Sequence, residues 1–166
     1  MRSVFTFLLI LTVSTLGAPL QSPKVLQVVG QVTVSSKTQP AHPIEIGASF
    51  LPQHWLETGP HSRVELIFQD DTLVRLGQNT SFRFHQRELE IRHGSMLVQL
   101  GLEAEKVRIH STPVAAMLQA TTVLFDYWPQ RSAKVLALEG FPQLTLQKTG
   151  QELRLAPGKM IFLKPS

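Results

Sequence analysis

Cysteine is absent from all 166 residues, which removes disulfide staples, lipidation, a thiolate nucleophile and any zinc site built on sulfur. Helix signals are nearly as scarce. Only Leu102-Glu103-Ala104-Glu105-Lys106 has helix-forming composition, and five residues cannot repay helix nucleation, so the stretch reads as a turn. Charged residues make up 17% of the chain, below the roughly 25% usual in globular proteins, and the net charge is only +4. The basic residues alternate with acidic ones, as in Arg63-Val64-Glu65 and Arg87-Glu88, instead of forming a stripe. A phosphate backbone would need a cluster, so nucleic acid is not expected as a partner.

One long apolar run is present, at the very start. Met1-Arg2-Ser3 carries a positive charge, Val4 to Val13 is almost wholly apolar, and small residues follow at Ser14, Thr15, Gly17 and Ala18. A basic start, an apolar stretch too short to span a bilayer comfortably and a small-residue exit describe a secretory signal helix, residues 1–18, cleaved near Ala18, with a retained membrane anchor as the alternative. The remainder, 19–166, is one domain's worth of chain. Export without cysteine fits a bacterial periplasm or cell envelope, with no membrane span left after cleavage.

The mature chain repeats one unit: an alternating apolar strand, a glycine, and another strand. The unit appears around Gly30, Gly94, Gly140 and Gly158. Glycine within a strand pattern marks a bend or bulge, so each unit reads as a strand that turns a corner. Between them, Val64, Leu66 and Phe68 alternate up to an acidic turn at Asp70-Asp71, and Leu73 to Leu76 carries the chain back to a second turn at Gly77-Gln78-Asn79. Ala115 to Ala120 is ambiguous by propensity, but Pro113 before it and Thr121-Thr122-Val123 after it favour an extended chain. The expected fold is all-β: a rolled or two-sheet sandwich, or solenoid-like domain, of short antiparallel strands.

Chemistry finds little footing. His42, His54, His61, His85, His93 and His110 are scattered, and solvated turn histidines account for them; His93 and His110 are the two whose meeting in space would change that reading. Asp70 and Asp71 are adjacent on a turn and diverge, so they cannot flank a scissile bond. Ser95, His110 and Asp126 supply the members of a triad, but neither Gly47-Ala48-Ser49-Phe50 nor His93-Gly94-Ser95-Met96 is a nucleophile elbow. No catalytic, cofactor-binding or metal-binding residue is therefore assigned. Trp55, Tyr127 and Trp128 lie in or near loops, where flat rings can stack on a sugar or anchor a partner protein, or simply cap the core. Phe82 and Phe84, alternating around Arg83, are expected to face inward.

The order Thr58-Gly59, Ser62-Arg63, alternating strand, aspartate turn, strand, Asn79-Thr80-Ser81, then Leu89 to Val98 and the step Ser111-Thr112-Pro113, resembles the FecR-like domain, named after the iron-dicitrate sensor of bacterial envelopes. The resemblance runs from about Val25 to about Gly140. It departs at Asp70-Asp71, where the family usually reads aspartate-glycine, and at Gln119-Ala120-Thr121, where it usually reads arginine-glycine-threonine. Asp accepts the left-handed backbone of such turns with modest strain; Ala does so less readily. What the resemblance implies is a non-enzymatic periplasmic module that binds or scaffolds, in signalling members between an outer-membrane receptor and an anti-sigma element. Lacking a spanning helix after its leader, this chain is expected to need a partner chain to pass a signal. An envelope carbohydrate-binding or carbohydrate-acting protein using the loop aromatics is the alternative.

Overall fold

A computed structural model of the protein describes residues 18–164, so the leader helix expected over 1–18 lies, but for Ala18, outside the described residues. The chain runs through β1 (Lys24–Val29), β2 (Val32–Ser35), β3 (His42–Pro43) and β4 (Trp55–Thr58). It continues as β5 (Arg63–Ile67), β6 (Leu73–Leu76), β7 (Ser81–His85) and β8 (Glu88–Gln99). Then follow β9 (Val107–His110), β10 (Val114–Leu118), β11 (Thr122–Trp128) and β12 (Ser132–Glu139). The last strands are β13 (Gln143–Leu146), β14 (Glu152–Arg154) and β15 (Met160–Leu163). Leu102-Glu103 forms a turn and Ala115 to Leu118 is extended, as their composition requires, and the described residues contain no helix.

All fifteen strands belong to one mixed sheet. A front half has the order β1-β5-β6-β8-β11-β12-β15, and a back half has the order β3-β2-β4-β7-β8-β9-β10-β13-β14. The two are joined because β8, 12 residues long, runs through both: its first part pairs with β7 and its second with β6 and β11. One pairing departs from the antiparallel expectation. The chain leaves the front end of β8 at Gln99, crosses to the back half through residues 100–106, and starts β9 beside Glu88, so β9 runs parallel to β8. Crossing between halves, unlike a hairpin within one, does not reverse the strand.

Alternation then fills the space between the halves. Val64, Leu66, Val74, Leu76, Met96, Val98, Val123, Phe125 and Val135 point inward from the front, and Leu56, Phe82, Phe84, Leu89, Ile91, Ile109, Leu118 and Leu144 from the back. They form one core. Phe84 sits at its centre, edge-on to Phe50 at 5.5 Å and to Phe68 at 5.3 Å between ring centroids.

The corners are where glycine is required. Gly94 bends β8 at φ +110°, and a Cβ there would overlap Thr80. Gly140, at φ +72° between β12 and β13, would place a Cβ 2.6 Å from the Ala120 carbonyl oxygen. Buried hydroxyls lace neighbouring corners together: Thr58 Oγ1 donates to the Gly77 carbonyl (2.6 Å) and accepts from the Thr80 amide (2.9 Å), and Thr80 Oγ1 accepts from the Ser95 amide (3.1 Å). Ala120, between β10 and β11, holds φ +47° where a glycine would be unstrained, and Asp71 holds φ +59° in the acidic turn.

Candidate binding surfaces

The three aromatic residues singled out from sequence separate into two places. Trp55 is half-buried on the back half, and the guanidinium carbons of Arg92 and Arg83 lie over its ring at 3.8 and 4.6 Å. Tyr127 and Trp128 end β11 and line a cleft of about 340 Å³ with Pro113, Ala133 and Leu163. Trp128 stacks on His93, centroids 6.3 Å apart at 25°. A bulge opposite Ser81 and Phe82 puts Arg92 and His93 together just before the Gly94 corner, which lets one contact Trp55 and the other Trp128.

The structure brings together two of the three triad members and leaves His110 apart. Ser95 does donate to Asp126, but the third group on that carboxylate is Lys134, not a histidine. This pairing follows from cross-strand register, since Ser95, Asp126 and Lys134 lie side by side on β8, β11 and β12. His110 instead lines a shallow groove of about 240 Å³ on the back half with Gln53, Arg83, His85, Glu88 and Glu90. In that groove Arg83 is tied to Glu90 at 2.6 Å. His93 and His110 thus serve different surroundings, and among the described residues no group of three or more His, Asp or Glu is placed to hold a metal.

Pattern reading overlooked the outer face of the front half. Across β6, β8, β11, β12 and β15, directly paired residues form the row Arg75, Leu97, Leu124, Leu136 and Met160, and the four apolar members point away from the core. Met160 is 55% exposed and Phe162, two residues on, 51%. Among the described residues the row ends at an open edge, because β15 pairs there only with β12. Leu163 of that edge strand, alternating to the side opposite Met160 and Phe162, walls the Tyr127/Trp128 cleft, so β15 borders the apolar row with one face and the cleft with the other. The signal was present in sequence: Val135 to Leu138 and Met160 to Leu163 are apolar on both faces, which an exposed strand does not need.

Arg87 is the other residue whose role required the structure. Its side chain is 4% exposed and its guanidinium donates to Asp70 Oδ2 (2.7 Å) and to the carbonyls of Lys106 (2.8 Å), Glu105 (2.8 Å) and Ala18 (3.3 Å). Burial alone would push the Asp70 carboxyl up. Hydrogen bonds from Arg87 and Thr72, with the Arg87 charge, outweigh it and hold Asp70 below its usual value.

The mixed all-β sheet of the described residues has counterparts among solved structures. No family model matches the chain, and no curated protein matches it. Two crystal structures of a candidate anti-sigma factor from Parabacteroides distasonis ATCC 8503, at 1.65 and 2.50 Å resolution, are similar to it, each with a TM-score of 0.59 and 14% identity. The likeness covers 66% of this chain and 54% of theirs, so this chain spans about half the length of those structures. At such identity the likeness is one of fold.

Proposed function

We propose that the protein is a non-enzymatic envelope module of the FecR-like kind that binds a protein partner in cell-surface signalling. The observation that carries this reading is the apolar row Leu97, Leu124, Leu136 and Met160 running out to the open edge of β15. An open strand edge beside an apolar face suits strand addition, in which backbone hydrogen bonds give affinity and alternate side chains give specificity. Lys159 and Lys164 flank β15, so the complementary strand carries apolar residues with carboxylates at its ends. The cleft beside Leu163 and Trp128 receives one large side chain of that strand. Support for a signalling context comes from the anti-sigma description of the similar structures and from the sequence resemblance.

The carbohydrate reading is the weaker one. Sugar stacking needs an open ring face, whereas Arg83 and Arg92 lie over Trp55 and His93 lies against Trp128. Binding assays on two variant sets separate the readings. Met160→Asp with Phe162→Asp is expected to abolish partner binding and leave the far-ultraviolet spectrum unchanged. Glycan binding lost in Trp55→Ala or Trp128→Ala, with the β15 variant behaving as wild type, would reverse the assignment.

A further inference from the structure

The start of the described chain is seated in a site. Leu20 is 5% exposed and belongs to the core, and its amide donates to the Gln86 carbonyl at 3.0 Å. Before it, the Ala18 carbonyl accepts from the buried Arg87 guanidinium at 3.3 Å. Ala18 to Gln21 line a groove of about 310 Å³ whose other walls include Asp70, Arg87, Glu103 and Glu105. Arg87 pairs there with Asp70 at 2.7 Å and with Glu105 at 3.9 Å, and Glu103 adds a third carboxylate to the wall, so the described lining sets three carboxylates against one guanidinium.

From this we infer that the leader is removed between Gly17 and Ala18, and that the acidic groove receives the ammonium group this cut creates. The inference rests on reading residues 1–17 as a leader. Three considerations fix the position of the cut. Cleavage beyond Leu20 would strip a side chain from the core. Cleavage after Ala18 would discard the carbonyl that Arg87 holds, and would place proline, with its fixed φ and no N–H, directly after the scissile bond. A cut after Gly17 leaves small residues at Gly17 and Thr15 on the departing side, the pattern of a leader exit. It also converts a neutral amide at Ala18 into a cation on the wall of the groove that Asp70, Glu103 and Glu105 line.

Two measurements test this. Intact mass of the exported protein is expected to correspond to a chain beginning at Ala18. A start at Pro19 or later overturns the assigned junction, and recovery of the uncut chain from the membrane overturns the leader reading itself. Independently, proteins beginning at Gly17, Ala18 and Pro19 are compared by thermal unfolding. The Ala18 form is expected to melt about 2–4 °C above both others, the shift of one charge-assisted hydrogen bond in a domain of this size. Changing Glu103 and Glu105 to Gln should erase its advantage over the Gly17 form. Equal melting of the Gly17 and Ala18 forms would show that the groove does not recognise the terminus.

Discussion

At the scale of single residues, stability is concentrated at the corners. Gly94→Val must force a left-handed β-branched residue into the space of Thr80, and Gly140→Val does the same against the Ala120 carbonyl. Each is expected to cost about 3 kcal/mol or more, read by chemical denaturation. Ala120→Gly acts in the opposite direction. Relief of the left-handed alanine, about 1–2 kcal/mol, exceeds the added chain entropy of glycine, so a net gain of about 0.5–1 kcal/mol is expected. Arg87→Met leaves Asp70 and the partly buried carbonyls of Glu105 and Lys106 without their donor around a buried side chain, an expected loss of about 3 kcal/mol. The Asp70 carboxyl is depressed on folding, so its contribution is fully present above the ordinary carboxylate value and disappears as pH falls through the folded value. Unfolding free energy titrated from pH 6 down to 2 should fall more gently in that window for the Arg87 variant than for wild type.

At the scale of elements, β8 organises everything else. It is the one strand shared by both halves, paired with β6, β7, β9 and β11, and its inward residues Leu89, Ile91, Met96 and Val98 are fully buried. Its amides should therefore exchange with solvent slowest, and those of the short edge strands β3 and β14 fastest. Uniform exchange along the chain would contradict a shared central strand. This element was legible in sequence, because Leu89 to Leu100 alternates on both sides of Gly94. The acidic turn was legible too, from Asp70-Asp71 between two alternating runs. The parallel pairing of β8 and β9 was not, since residues 100–106 give composition but no record of which half they cross to.

At the scale of the whole molecule, periodicity set out the strands and corners but not which faces remain open. Trp55 and Trp128 stand out as large aromatics in loop-like surroundings, yet only the assembled sheet shows Arg83, Arg92 and His93 against their rings. Conversely, Leu97, Leu124, Leu136 and Met160 are ordinary strand residues until register places them in one row. The strands apolar on both faces, Val135 to Leu138 and Met160 to Leu163, carry part of the signal in sequence, but the row itself, spread over four strands between residues 97 and 160, is fixed only by register. We propose that this row and the edge of β15 form the face that meets a protein partner. Site-specific photo-crosslinking in the native envelope tests this, with the reactive group at Phe162 and, as control, at exposed Lys37 in the β2–β3 connection. One defined protein adduct from Phe162, absent from the control and abolished by Met160→Asp, is the predicted result. No adduct from Phe162, or the same adducts from both positions, would contradict the account.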